Sequence, residues 1–356
     1  MKIGISANAL RLSGGLERYA MDLVRGLADA GFTGSLKPAF FARKIDPALA
    51  ETKLVEAHRI SVGFLPGKLR DTWFSWVLER ARRKANVDVL IGCNRVESSE
   101  IAICGGTHIG FLNATGRREK PSDRRQIELE RRQYRAARVI VAHSKLMQDE
   151  LRTLYGVDEA KIRVLYPPVD SARFSPVDAS ARAGLRKRFG FADDEIVLLF
   201  PSSSHVRKGL PLIEEALAGS RLPVVVAVAG RPLDRASERV RHIGYVPDIE
   251  NCYRAADFTI LASSYEPFGL VGVESVMCGT PVIIPASIGC CDAIAAHAKH
   301  VFKPGDAADL RRVIARAVES PDSHTSVARD AVLYDADVSA HVAELIALAK
   351  DIHAKR

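Results

Sequence analysis

Two stretches of this sequence space their residues for chemistry on an anion and a polyol. The first is SSYEPFGLVGVESVMCGTPV, residues 263–282, which follows an apolar run and opens a helix. Glu266 falls in the loop, where its side chain can face a ligand at a strand end. Phe268, Gly269 and Leu270 are expected to form the first helical turn, whose amides have no intrahelical partner. Those donors and the helix dipole favour a phosphate. Gly269 has no Cβ, so an anion can come close to the backbone. Glu274, one to two turns on, can present a carboxylate to paired hydroxyls such as those of a ribose. Gly279 then ends the helix. A plain strand–turn–helix with two solvated glutamates would leave this combination unexplained.

The second stretch is FPSSSHVRKG, residues 200–209, again where a strand meets a helix. Arg207 can grip a diphosphate through a bidentate fork, and Lys208 adds a point charge. Alone, such a pair is a solvated helix start. Placed after the first strand of a second sheet, it points to the same anion as residues 263–282.

Three further segments carry weaker signals. Gly14 and Gly15 lie in the loop after the first strand, which matches neither a dinucleotide fingerprint nor a Walker loop. His108, in the run Cys104-Gly-Gly-Thr-His-Ile-Gly110, follows a strand and stands among glycines. It could exchange a hydrogen bond with a sugar hydroxyl. Residues 117–138 hold nine Lys and Arg against four Asp and Glu. Pairs such as Glu128 with Arg132 account for part of that charge. Arg117, Arg118, Arg124, Arg125, Arg131 and Arg132 remain as a basic surface. Tyr134 is the only aromatic there, so a stacking platform for single-stranded nucleic acid is missing. Asp335-Ala-Asp337 spells an acidic metal motif but lies far in sequence from the other sites, and is read as turn and N-cap chemistry. No metal site and no cofactor are expected.

These residues need elements to hold them, and the chain alternates strand and helix. Strands are expected at 2–7, 36–42, 87–93, 139–142 and 162–165, and helices at 17–30, 72–85, 122–137 and 144–155. Tyr166-Pro167-Pro168 cannot continue either element. The small, polar stretch 177–183 follows, and the alternation then resumes. Apolar runs at 196–200, 223–229, 258–261 and 281–284 suit strands buried on both faces of a parallel sheet. Helices are expected between and after them at 209–218, 248–255, 270–278 and 306–319. The fold class is α/β, with two open parallel sheets and a closing helix at 339–354. The domains are set at 1–168 and 169–338, with 339–356 as a C-terminal helix that packs on the first domain. Ligands are expected at the carboxyl ends of the strands, in a cleft between the domains.

At 356 residues, 47% hydrophobic and 26% charged, the chain has the makeup of a globular protein rather than a disordered, collagenous or coiled-coil one. Residues 1–168 carry a net charge of +10 and residues 169–356 carry −2, so an anionic partner is expected on the first half. No apolar run reaches the ~18 residues that cross a bilayer. The N-terminal stretch lacks the features of a signal peptide. The six cysteines form no CxxC pair, which suits reduced thiols in the cytoplasm better than disulfides or zinc.

Taken together, these motifs resemble the retaining glycosyltransferases of family 4, which have the GT-B fold of two facing Rossmann-like domains. The resemblance runs through Gly14–Gly15, the His108 region, Val141-Ala-His-Ser144, Ile162-Arg-Val-Leu-Tyr166 with Val169-Asp170, Arg207-Lys208-Gly209, and the pair Glu266 and Glu274. It is nearest to the branch that builds lipopolysaccharide core and other cell-envelope glycans. The resemblance implies a nucleoside-diphosphate sugar as donor and a glycan or lipid-linked molecule as acceptor. Gly15 would let the backbone approach the donor β-phosphate, and Arg207 and Lys208 would bind the diphosphate. Glu266 would bond the sugar hydroxyls, Glu274 would hold the ribose, and the base would rest near Tyr245 and Val246. Phe268, Gly269 and Leu270 would complete the donor site, and His108 would face the reacting sugar. It also implies metal-independent transfer by front-face attack, and peripheral contact with an anionic membrane from the cytoplasm. Where many relatives have Asn-Gly-Val-Asp, this chain has Pro167-Pro168-Val169-Asp170, which implies a stiffer hinge.

Two other readings stand beside this one. A sugar-nucleotide 2-epimerase shares the fold but needs acid/base carboxylates and no acceptor surface. A non-catalytic basic protein that binds membrane or nucleic acid leaves Glu266 and Glu274 without a purpose. The missing GxGxxG argues against a nicotinamide dehydrogenase.

Overall fold

The central strands of this chain are short runs of Val, Ile, Leu and Ala that pack with both faces covered, whereas edge strands carry polar residues. The structure, a computed structural model, describes residues 1–11, 15–233, 235, 237–319 and 329–355. It divides into two compact units, Met1–Pro168 with Asp335–Arg356, and Val169–Tyr334.

In the first unit the chain runs β1 (Ile3–Ser6), β2 (Ala9–Leu10), α1 (Gly15–Asp29), β3 (Ala39–Ala42), β4 (Lys44–Ile45), β5 (Glu56–Arg59), α2 (Arg70–Lys84), β6 (Val89–Gly92), β7 (Ile101–Cys104), α3 (His108–Thr115), α4 (Pro121–Ala136), β8 (Val139–Ala142), α5 (Lys145–Tyr155) and β9 (Ile162–Val164). Seven strands form one sheet in the order β5-β3-β1-β6-β7-β8-β9. All its pairings are parallel. The order reverses between β1 and β6, so the switch point lies at the carboxyl ends of those two strands.

The second unit runs α6 (Ala179–Phe189), β10 (Ile196–Ser202), α7 (His205–Lys208), α8 (Leu210–Leu217), β11 (Val224–Gly230), β12 (Val240–Gly244), α9 (Ile249–Ala255), β13 (Phe258–Ile260), α10 (Leu270–Met277), β14 (Val282–Pro285), β15 (Lys299–Phe302) and α11 (Ala307–Glu319). Its sheet has the order β12-β11-β10-β13-β14-β15, again with every pairing parallel. Here the switch point lies between β10 and β13.

The last helix, α12 (Val338–Ala354), belongs to the first unit. Val342, Leu345, Ala349 and Ile352 enter the same core as Leu23, Val24 and Leu27 of α1. Gly26 sits at that crossing: a Cβ there would meet Val342 Cγ2 at 2.6 Å. His341 fixes the helix start. Its Nδ1 lies 3.0 Å from the Tyr166 carbonyl, and its Nε2 lies 2.8 Å from the Tyr19 hydroxyl. The carbonyl can only accept, so Nδ1 carries the proton and Nε2 accepts from Tyr19.

Several sequence expectations need correcting. The return to the first unit falls between Tyr334 and Asp335, four residues before the expected boundary, because α12 begins at Val338 and its lead-in packs with it. The polar stretch 177–183 in fact enters α6. Asp178 caps it by accepting from the Ala181 amide at 2.8 Å, and Gly190 closes it at φ 70°. Helix α3 and edge strand β5 were not anticipated. Asp335 and Asp337 behave as turn residues, the Asp337 amide donating to Asp335 Oδ1 at 3.0 Å at the start of α12.

Candidate functional site

The carboxyl ends of β10 and β13 bring the two strongest motifs together. After β10 the chain makes the single turn α7, which ends in Arg207 and Lys208, and Gly209 then turns it into α8 at φ 86°. A Cβ on Gly209 would lie 2.0 Å from the Ala262 carbonyl oxygen, so only glycine fits. That closeness lets the two loops bond directly. The Ala262 amide donates to the Lys208 carbonyl at 3.2 Å, and the Ser264 amide to the Arg207 carbonyl at 3.4 Å.

Side chains converge above these backbones. Lys208 is buried, and its Nζ lies 2.5 Å from Glu266 Oε2. Arg207 Nη1 lies 3.9 Å from the same oxygen, with the guanidinium side chain 40% exposed. Ser263 Oγ donates to Glu266 Oε2 at 3.4 Å. The Glu266 loop is braced from behind by the turn Gly289–Ala293. The Gly289 amide donates to the Glu266 carbonyl at 3.1 Å, and the Cys290 amide to the Phe268 carbonyl at 2.6 Å.

Helix α10 starts at Leu270, where the helix was expected, and Phe268 and Gly269, read as part of its first turn, stand before it. Gly269 stands before it as N-cap at φ 91°, a conformation that would strain any residue with a Cβ. The eight-residue helix still directs the amides of its first turn to the loop end. Glu274 is buried and accepts from the Tyr253 hydroxyl at 3.0 Å, so its carboxylate is pre-oriented. Burial, followed by the nearby Glu274 charge, pushes the Tyr253 phenol up, which keeps it a donor. Nothing local in the sequence pointed to Tyr253, because α9 brings it to Glu274 only through the fold. Gly244, at φ 85°, releases β12 into Tyr245 and Val246, and Tyr245 is 83% exposed.

The first unit places its expected residues differently. Gly14 lies outside the described residues, and Gly15 is the first residue of α1. His108 opens α3, which Thr107 caps by accepting from the Gly110 amide at 3.0 Å. Its Nε2 is 2.9 Å from Asp123 Oδ1, and its amide donates to Glu130 Oε2 at 3.1 Å. Asp123 also takes Arg117 Nη2 at 2.7 Å and the Lys120 amide at 2.8 Å. Arg117 first, and then His108, hold its carboxyl far below the ordinary range. The ionised carboxylate can only accept, so His108 donates to it from Nε2.

Part of the basic segment lines a groove. Arg117, Arg124 and Arg131 line a groove of about 590 Å³ between α3 and α4, floored by Ile109, Leu112 and Ile127. Arg118, Arg125 and Arg132 are not on it. Arg124 pairs with Glu119 at 2.6 Å, and Arg132 lies 3.8 Å from Glu128. Among the described residues, no group of three or more His, Cys, Asp or Glu could hold a metal ion. No helix among them is long and apolar enough to cross a membrane.

Comparison with known proteins bears on this architecture. The description of Glycosyltransferase Family 4 fits residues 13–173, and that of Glycosyl transferases group 1 fits residues 182–332. A probable transglycosylase of Burkholderia thailandensis is 64% identical over 362 residues, which cover 100% of this chain and 99% of that protein. The chain belongs to glycosyltransferase family 4. Its fold is the GT-B fold. WaaG, a glycosyltransferase involved in lipopolysaccharide biosynthesis, superposes with a TM-score of 0.77 at 16% identity, over 99% of this chain and 98% of its own. Anabaena Alr3699/HepE, solved in complex with UDP and glucose, gives 0.76 at 18% identity, over 98% and 99%. In this family 4 chain, then, the cluster of Arg207, Lys208 and Glu266 stands at the switch point of a glycosyltransferase's second Rossmann-like sheet.

Proposed function

We propose that this glycosyltransferase retains anomeric configuration and moves a hexosyl or heptosyl group from a nucleoside-diphosphate sugar to a glycan or lipid-linked acceptor, in the synthesis of lipopolysaccharide or another cell-envelope polysaccharide. The observation that carries the reading is the convergence of Arg207, Lys208 and Glu266 on one strand-end site. Breaking the anomeric bond leaves new negative charge on the nucleoside diphosphate. Arg207, Lys208 and the first turn of α10 supply fixed positive charge for it, in place of a metal. Glu266 holds Lys208 until the diphosphate arrives and then turns to the hydroxyls of the sugar. Glu274, oriented by Tyr253, takes the ribose. The acceptor hydroxyl attacks the face the diphosphate leaves, and the departing phosphate oxygen accepts its proton. The likeness to WaaG supports the cell-envelope assignment. The groove between α3 and α4, apolar below and lined by three arginines against Glu119 and Glu128, keeps a net positive charge that suits a phosphorylated, lipid-linked acceptor presented at an anionic membrane.

Thermal shift with UDP-, GDP- and ADP-sugars tests the donor class, since a ligand at 100 times its Kd adds about 2.7 kcal/mol. One sugar nucleotide is expected to raise Tm, and its transfer is expected to survive EDTA. No response to any of the three rejects the reading. Loss of activity in EDTA that Mg²⁺ or Mn²⁺ restores rejects the metal-free mechanism.

A further inference from the structure

Helix α2 buries Phe74 and Leu78 completely, yet the helix and the loop before it leave large apolar side chains exposed. Phe64 is 66% exposed, Leu69 45% and Trp76 52%. Phe64 and Trp76 form one patch with Trp73, and Leu69 stands four residues before Trp73, at the start of the helix. The Phe64 and Trp73 rings meet edge to face at 5.6 Å, and the Trp73 and Trp76 centroids are 5.3 Å apart. Apolar side chains clustered on a surface in this way mark an interaction site.

The charges around the patch narrow its partner. Arg80 lies over the Trp76 ring, with Cζ 3.6 Å from the centroid. Arg70 Nε donates to the Leu65 carbonyl at 2.9 Å. Lys68, Arg70 and Arg80 have no carboxylate partner among the described residues. The acids nearby are already engaged: Asp71 by Arg43 and Gln126, and Glu79 by Arg83. Exposed tryptophan flanked by cations that no carboxylate neutralises matches the headgroup layer of a bilayer, where amphipathic rings settle and lipid phosphates meet Lys and Arg. Gln126 belongs to α4, so its bond to Asp71 joins this patch to the basic surface of α4.

We infer that Phe64, Leu69, Trp73 and Trp76 form a wedge that enters the interface of an anionic bilayer, with Lys68, Arg70 and Arg80 on the lipid phosphates. The inference rests on the peripheral-membrane reading above and assigns apolar insertion to α2 rather than α4.

The chain has two tryptophans, both in this patch, so its emission reports on the wedge alone. The probe is vesicles of phosphatidylglycerol and phosphatidylcholine, with and without brominated acyl chains. The expected result is co-sedimentation, a blue shift of emission, and quenching by the brominated chains. Phe64→Ser with Trp76→Ser should weaken vesicle binding about tenfold or more, since insertion strength follows buried apolar area. The thermal response of that variant to the sugar nucleotide should be unchanged, which shows an intact fold. Co-sedimentation with unmoved emission overturns the wedge and leaves the basic surface of α4 as the membrane contact. Absence of co-sedimentation overturns both. A blue shift that appears without lipid, rises with protein concentration and accompanies a dimer mass shows a second copy on the patch and overturns the wedge.

Discussion

Arg207 and Lys208 are neighbours in sequence but stand in different surroundings, one exposed and the other buried on Glu266. Their losses should therefore look different. Arg207→Ala removes a donor aimed at developing charge and should lower kcat by roughly 10²-fold or more, with the fold intact. Steady-state kinetics with the preferred donor checks this, and near-normal turnover would remove Arg207 from the mechanism. Glu274→Gln should instead weaken binding of the nucleoside diphosphate in calorimetry, and unchanged affinity would detach Glu274 from the ribose. Gly209→Ala is a test of the scaffold. Its Cβ would meet the Ala262 oxygen at 2.0 Å with φ at 86°, so a loss of about 1–3 kcal/mol in chemical denaturation is expected. Much of this site was legible in the sequence, because Arg207, Lys208, Glu266 and Gly269 sit in short strand–loop–helix motifs whose chemistry is local. Tyr253 was not, since its bond to Glu274 needs α9 and α10 placed side by side. His108 likewise reads as a free ligand group in the sequence, because the Asp123 that binds its Nε2 comes from the next helix.

Each element was legible to the extent that its residues had an apolar face to hide. The run VVVAVAG of β11 is almost wholly buried and reads as a strand on sight. Glu56-Ala-His-Arg59 of β5 lies at the sheet edge and shows no such signal. Glycines at 106 and 110 obscured α3. At Gly110 a Cβ would displace the Glu150 carboxylate, which bonds the Thr107 hydroxyl. The basic segment was expected as one surface, but Arg124 and Arg131 of α4 line the groove while Arg125 and Arg132 do not, so the two pairs should separate by mutation. Arg124→Glu with Arg131→Glu alters the groove and should impair acceptor use while donor hydrolysis persists. Arg125→Glu with Arg132→Glu should weaken only vesicle binding, by about 1 kcal/mol per basic residue lost near anionic lipid. Equal effects of both pairs on acceptor use would show that the groove is not the acceptor site. The buried histidines beside α1 and α12 give the first unit a pH response. Burial pushes His143 down to about 3 and His341 to about 4, from an ordinary 6.5. Unfolding frees them to bind protons, so their contribution is complete above about pH 6.5 and is lost as pH falls toward 4. Each tenfold loss of proton affinity on folding corresponds to about 1.4 kcal/mol. Melting followed from pH 7 to 4.5 should show this loss, and His341→Gln should flatten the slope.

Considered whole, the molecule is one Rossmann-like unit interrupted by another. The chain leaves the first unit after Pro168 and re-enters it at Asp335. The second alternation of strands and helices announced the inserted unit, and Tyr166-Pro167-Pro168 marked the exit. The re-entry point was harder to place, because a lead-in of turn residues looks alike on either side of it. His341 bonds the Tyr166 carbonyl, two residues before the exit, and α12 supplies four residues of the first unit's core. That has a consequence for the order of events during translation. When residue 334 has left the ribosome, the second unit has all its strands and helices, while the first still lacks one wall of its core. The half of the protein made first is thus the half completed last, and for the time it takes to make α12 the α1 surface around Tyr19 and Gly26 that α12 covers is open to chaperones. A chain truncated after residue 337 should keep residues 169–334 resistant to protease and lose residues 1–168 to it.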